Sequence, residues 1–284
     1  VAREQGRLMA TRNPGQNRNV GNVRKIDFLM SPERDFPRRS QPATYRYALC
    51  STPRCGSNMV GDMLFDTGLA GNPQEYLNTR YMAGYNRSMG RDGGPFDLTA
   101  YQGDMESRRT SPNGVFGIKI HFEHMESLWK QQFAEMAKYL SIYNQFVLLT
   151  RRDKIAQAVS LHKARETQIW ASIDYKFLEP DDPRLKIKPA FSAHKIARCL
   201  SDLIVQEESW RALLDNFKLP YVVLAYEDLV ADFAGESRKL LRVLGLDPDK
   251  AKQAPGIRKQ GVDNDPMIAQ FRELIGAGPL PAAT

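Results

Sequence analysis

Arg54, Ser57 and Asn58 stand close together in one short polar break, Ser51-Thr52-Pro53-Arg54-Cys55-Gly56-Ser57-Asn58. Before it runs an apolar, aromatic-rich stretch, and after it apolar residues recur with helical spacing. A guanidinium, hydroxyls and an amide in a tight loop that opens a helix are donors aimed at an anion. The first N–H groups of a helix have no partner inside it, and its dipole favours negative charge at that end. A phosphate or sulfate group is therefore the ligand this loop suits. Lys119 is a second residue of interest, because VFGIKIH is otherwise apolar and one side of the sheet must accommodate the charge.

The elements that would position these groups follow from periodicity. Tyr45–Ser51 reads as a buried strand, and Met59, Val60, Met63 and Leu64 as the helix behind the loop. In Gly68–Asn78, Asn72 and Pro73 can start a short helix. Thr79–Asn113, with Gly84, Gly90, Gly93, Gly94 and Gly103, reads as loop of the kind that forms binding lids. Val115–His121 is a second strand with one helix, Phe122–Tyr139, behind it. Gln145–Thr150 is a third strand, followed by helical spacing over Ile155–Arg165. Ser192 opens a long helix to about Phe217, Tyr221–Ala225 is a fourth strand, and Leu229–Leu244 and Pro266–Ile275 are helical. Strands alternating with helices give an α/β fold, a mostly parallel central sheet with helices on both faces. Residues 45–284 form one such domain, and 1–44 a basic, partly irregular N-terminal extension with Ile26–Met30 as a small anchor.

A chain of 284 residues, 42% hydrophobic and 26% charged, can bury a substantial core. No run is long enough to cross a bilayer. Cys50, Cys55 and Cys199 are too few for a disulfide framework or a cysteine zinc site, so a reducing compartment is expected. The net charge is +7, and residues 1–46, with ten basic against four acidic side chains, hold +6 of it. Such a tail suits anionic lipid headgroups or polyanionic glycans. Nucleic acid is not expected, because the tail offers few aromatics for stacking bases.

Several familiar phosphate sites fail on their chemistry. A Walker loop needs a Lys before its Ser or Thr, and none is present here. A dinucleotide site needs three spaced glycines, which Gly56 and Gly61 do not supply. A cysteine phosphatase needs an Arg where Gly56 and Gly61 follow Cys50 and Cys55.

The loop resembles the 5′-phosphosulfate loop of sulfotransferases, most closely that of the bacterial carbohydrate sulfotransferases related to trehalose 2-sulfotransferase, the Stf-zero type. Gly68-Leu69-Ala70-Gly71-Asn72-Pro73-Gln74-Glu75 matches that family's Gly-x-x-Gly-x-Pro-x-Glu segment. Gly117-Ile118-Lys119, RRDKIAQAVSLHKA at 151–164 and YEDL at 226–229 also look alike, so the resemblance runs from about residue 45 to 275. It implies a three-layer, P-loop-like fold. It also implies transfer of a sulfuryl group from 3′-phosphoadenosine 5′-phosphosulfate, as co-substrate and without a metal, to a carbohydrate or glycolipid hydroxyl.

By that resemblance Arg54, Ser57, Asn58 and the backbone around Cys55 and Gly56 grip the donor's 5′-phosphate. Cys55 and Asn58 depart from the family's Ser and Thr; Asn still donates, and Cys55 serves backbone geometry. Arg152 and Ser160 best fit the 3′-phosphate contact, with Arg151 in place of Arg152 under a shifted alignment. Arg258, Lys259, Gln260 and Gly261 resemble a late loop that covers the donor. Glu75 falls on the family's catalytic base, and Lys119 on a lysine that reaches the sulfuryl oxygens. Spacing alone gives Glu75 another job: Asn72 as N-cap, Pro73 at N1 and Glu75 at N3 approximate a capping box. His121 closes a strand and reads as a structural histidine, His162 is a candidate to line the donor or acceptor site, and Trp170 and Tyr175 are candidates to stack on a sugar face or simply to complete a core.

The acceptor is a sugar, free or lipid-linked, with trehalose and a lipopolysaccharide core sugar among the candidates. Residues 79–113 and 165–190 are expected to shape its pocket. A cytoplasmic location is expected, with peripheral contact at the inner, anionic face of the membrane, and the family implies a homodimer. The competing readings are a non-catalytic polyanion or membrane-surface binder and a nucleotide-dependent kinase.

Overall fold

The structure, a computed structural model, describes residues 23–90, 96–251 and 265–277. Its centre is a sheet of four strands: β1 (Tyr45–Ser51), β2 (Val115–His121), β3 (Gln145–Thr150) and β4 (Tyr221–Ala225). They lie in the order β2-β1-β3-β4 and every pairing is parallel. In β1, Ala48 and Cys50 face one layer while Tyr47 and Leu49 face the other. Both faces are covered, which is why the strands read as nearly continuous apolar runs.

One layer comprises α4 (Phe122–Trp129), α5 (Phe133–Leu140) and α7 (Ala193–Asn216), represented in the core by Phe122, Met125, Met136, Leu140, Trp210 and Leu214. The opposite layer comprises α1 (Ser57–Asp66), α8 (Tyr226–Ala231) and α9 (Phe233–Val243), through Val60, Met63, Leu64, Leu229 and Leu241. α6 (Lys154–Thr167) and α10 (Pro266–Leu274) pack with α7 in a third apolar cluster. The remaining helices are α2 (Thr79–Ser88) and α3 (Leu98–Arg109). From β1 the chain crosses to β2, and from β3 to β4 on the other side. The carboxyl ends of β1 and β3 thus flank the point where strand order reverses, the place where α/β sheets bind ligands.

Four expectations from sequence need correction. No helix starts at Asn72–Pro73. Asn72 is fully buried, and its amide donates to the Arg34 carbonyl (3.0 Å) and accepts from Gln74 (3.3 Å), so it is not free to cap. The region 79–113 is largely helical rather than loop, with α2 capped by Asn78 and α3 by Asp97. Gly84 lies inside α2 because a Cβ there would stand 2.6 Å from Cγ2 of Ile26. The helix expected over Phe122–Tyr139 is two, broken at Lys130 with φ +52°. Asp232 likewise divides Leu229–Leu244, ending α8 and capping α9.

Residues 23–29 are helical, and Ile26, Leu29, Met30 and Ala43 are buried in the core that α2 and α3 share.

Candidate active site

The loop after β1 turns sharply. Arg54 has φ +69° and Gly56 has φ +86° at the N-cap of α1. A Cβ on Gly56 would also stand 2.8 Å from the Tyr226 ring, so backbone shape and packing both demand glycine there. Gly56 brings no side-chain acceptor to the end of α1, and the helix's first turn contains no acidic residue. The positive end of its dipole thus has no acidic side chain of the helix's own first turn beside it.

Buried polar side chains hold this loop from behind. Gln157 of α6 donates to Thr52 Oγ1 (2.9 Å) and to the Pro53 carbonyl (2.7 Å), and Trp210 Nε1 donates to the Ser51 carbonyl (3.0 Å). Sequence reasoning passed over both. The available signal for Gln157 was an uncharged polar side chain on the stretch of α6 that must face the sheet. Cys55 is fully buried, and burial pushes its thiol up, partly offset by backbone N–H bonds from Ser57 and Thr52. That agrees with a geometric rather than covalent role.

Arg54 and Arg151 meet across the reversal point. Arg54 Nε donates to Ser160 Oγ (2.9 Å), its guanidinium also donates to the Trp170 carbonyl, and Arg151 reaches the Arg54 carbonyl at 3.5 Å. Burial and the charge of Arg151 lower the Arg54 pKa from its ordinary value. Arg151 lies 4.6 Å over the Tyr226 ring, and its buried Nε has no hydrogen-bond partner among the described residues. Two guanidiniums that repel one another favour an anion between them.

Arg152 points elsewhere. Its guanidinium pairs with both oxygens of Asp228 at 3.0 and 2.5 Å, out on the surface. His162 is buried against the Ala190 carbonyl (2.9 Å), and Tyr175 is exposed. Arg258, Lys259, Gln260 and Gly261 lie outside the described residues.

Glu75 is delivered by a strand-like contact. Gln74 bridges to Ile118, and the Lys119 N–H donates to the Gln74 carbonyl (3.0 Å), so the segment before α2 runs along the free edge of β2. Gly71 (φ +69°) permits the approach, since a Cβ there would meet the Val115 carbonyl oxygen at 2.9 Å. Glu75 then lies 3.1 Å from Lys119 Nζ, and Lys119 in turn donates to Oδ1 of Asn58 on the anion loop. His121 and His124, which sequence spacing did not connect with Glu75, approach the same carboxylate at 3.5 and 3.7 Å. Burial pushes the Glu75 carboxyl up, but Lys119 and the two imidazoles overcome this and hold it well below the ordinary carboxylate range. Burial lowers His124 to about 3, so that ring is neutral.

The described residues contain no group of three His, Cys, Asp or Glu side chains arranged to hold a metal ion. Among them, no helix is long and apolar enough to cross a membrane.

Two curated proteins resemble the chain over nearly their whole length. Trehalose 2-sulfotransferase of Mycobacterium tuberculosis is 28% identical over 259 residues, covering 80% of this chain and 94% of that protein. The Mycolicibacterium smegmatis trehalose 2-sulfotransferase is 25% identical over 264 residues, with the same coverage of 80% and 94%. Among solved structures, a sulfotransferase from Alicyclobacillus acidocaldarius aligns at 14% identity and a TM-score of 0.45, over 85% of this chain and 98% of that one. The model of the Stf0 sulphotransferase family matches residues 46–273, most of the chain and with it nearly all of the sheet, so the chain belongs to the Stf0 sulphotransferase family.

Proposed function

We propose that the chain moves a sulfuryl group from 3′-phosphoadenosine 5′-phosphosulfate to a carbohydrate hydroxyl by direct in-line transfer. The observation that carries this reading is the chain of contacts from Asn58 on the anion loop to Lys119 and on to Glu75. It joins a phosphate-binding loop to a charged pair where an acceptor hydroxyl can enter. The nucleotide, when bound, supplies the activated sulfuryl group.

In this reading α1 after β1 is a P-loop-like element. Arg54, Ser57, Asn58 and the backbone of Cys55 and Gly56 hold the 5′-phosphate side and stabilise charge that grows as the phosphate leaves. Arg151, whose buried Nε has no hydrogen-bond partner among the described residues, and Ser160 serve the 3′-phosphate. Arg152, committed to Asp228, shapes the wall behind them. Lys119 faces the transferring oxygens, and Glu75 receives the acceptor hydroxyl.

The two curated relatives are named for trehalose, which makes that disaccharide the first acceptor to test, followed by lipid-linked and lipopolysaccharide sugars. The experiment is transfer of labelled sulfate from the nucleotide to a panel of glycans, with calorimetry of adenosine 3′,5′-bisphosphate against ATP. Bisphosphate preference and a labelled sugar are expected. Preference for ATP without sulfate transfer would replace this reading with a kinase.

A further inference from the structure

The turn between β3 and α6 carries Arg151, and one peptide unit of that turn is gripped from both sides. The Arg151 carbonyl accepts from Lys154 Nζ at 2.5 Å. The N–H of the same unit, on Arg152, donates to Glu227 Oε2 at 3.0 Å. In a trans peptide these two groups point in opposite directions, so the plane is held at both edges. The other oxygen of Glu227 takes the next N–H, that of Asp153, at 3.0 Å. Glu227 belongs to α8, directly after Tyr226, whose ring lies against the Arg151 guanidinium.

Lys154 is itself held in place. Its Nζ pairs with Glu207 Oε2 at 2.6 Å, and among the buried residues of α7, which include Leu203, Trp210 and Leu213, Glu207 is the charged one. A carboxylate in that setting is costly to desolvate and needs its cation. Arg211, one turn further along α7, faces its second oxygen at 3.2 Å. Trp210, three residues after Glu207 and so on the same face, is the side chain that holds the Ser51 carbonyl. One face of α7 thus supports the loop after β1 and the turn after β3 together. The grip matters because Arg151 is 3% exposed and stands beside a second buried guanidinium, Arg54, whose pKa it lowers. Like charges at that range push apart, and rotation about the Arg151 backbone would relieve them. Fixing the peptide unit blocks that rotation, so the guanidinium is in place before an anion arrives.

We propose that Glu227, and Glu207 acting through Lys154, are positioning residues that lock the Arg151–Arg152 peptide unit and so hold Arg151 ready for the 3′-phosphate of the nucleotide. The inference rests on the sulfuryl-transfer reading above, in which Arg151 serves that phosphate. Both carboxylates act through the backbone of Arg151 rather than on the ligand. The Arg152 side chain has no part in the lock, since any residue there except proline keeps the N–H that Glu227 accepts.

The test is calorimetry of adenosine 3′,5′-bisphosphate against adenosine 5′-monophosphate in Glu227→Ala and in the double variant Lys154→Met/Glu207→Gln. The double variant removes the donor to the Arg151 carbonyl together with the charge that its loss would strand, which spares the fold. Each variant should lower the preference for the bisphosphate by about tenfold and leave monophosphate affinity within about twofold of normal. On an Arg151→Ala background the same changes should lower that preference no further, because they act through the missing guanidinium. Equal loss of both nucleotides is a structural role and overturns the proposal. An unchanged preference, or a full further loss on the Arg151→Ala background, overturns it as well. Amide hydrogen exchange at Arg152, read by NMR, judges the lock without any nucleotide. Exchange should be slow in the unaltered protein and faster in Lys154→Met/Glu207→Gln, which leaves Glu227 in place; exchange that this variant does not change overturns the lock. If the unaltered protein does not distinguish the two nucleotides, the sulfuryl-transfer reading fails, and the exchange result still judges the lock.

Discussion

Glu75 and Lys119 meet at 3.1 Å with the lysine 2% exposed, one from an irregular segment and the other from the middle of a strand. A single backbone contact, Lys119 N–H to the Gln74 carbonyl, sets that meeting. The carboxylate therefore sits at a fixed place beside the loop that follows β1.

Replacing Glu75 with Gln keeps the shape and removes the charge. Turnover should drop by about 10²–10⁴-fold, the usual range for a lost acid–base group. Bisphosphate affinity, read by calorimetry, should stay close to normal, because the exchange keeps the size and shape of the side chain.

The pH dependence of stability follows from the same pair. The folded-state pKa of Glu75 is depressed, so its contribution is present above the ordinary carboxylate pKa and is lost as pH falls through the lower folded value. In Lys119→Met the largest lowering influence is gone and burial dominates. The folded pKa of Glu75 then moves up, so the loss of stability on acidification that this carboxylate contributes should shrink or reverse sign, with stability lowered instead at neutral pH, as chemical denaturation at a series of pH values would show.

Arg151 and Arg152 are neighbours with different surroundings, and their alanine variants should separate. Arg151→Ala should weaken bisphosphate binding by about ten- to a hundredfold, the worth of roughly 1.5–3 kcal/mol for bonds to a charged group. Arg152→Ala removes an exposed ion pair with Asp228, so its effect on stability should stay within about 1 kcal/mol. Its bisphosphate affinity should barely change. Calorimetry on both variants reads the difference.

Gly56→Ala meets two obstacles, a positive φ and the Tyr226 ring 2.8 Å from the new methyl. Backbone strain alone should cost about 1–2 kcal/mol. Combining it with Tyr226→Ala should recover only the steric share, so thermal melts of the single and double variants divide the two causes.

The strands were legible in sequence because each is a short, mainly apolar run, buried in β1, β2 and β3 and partly exposed in β4 at the sheet edge. The loop between β1 and α1 was legible for the same reason: a polar break between strand and helix has few alternatives. The region 79–113 was misread because its glycines suggested a loop, while Asn78 and Asp97 were quietly supplying helix caps. Gly84 marks the close approach of Ile26, a contact between distant parts of the chain that local spacing cannot reveal. The same limit applied to Glu75, whose capping-box spacing is genuine in sequence but is overridden by the burial of Asn72. Arg151 and Arg152 were indistinguishable until Asp228 claimed one of them.

The helical residues 23–29 change how the chain can be trimmed. Lys25 pairs with Asp174 at 2.5 Å, Arg24 pairs with Glu179, Phe28 packs on Phe177, and Ile26 wedges against Gly84. A deletion that stops short of residue 23 leaves this clasp intact. One that runs to residue 40 would strip apolar surface from two walls at once, and any loss of activity would report a damaged scaffold rather than a missing basic tail.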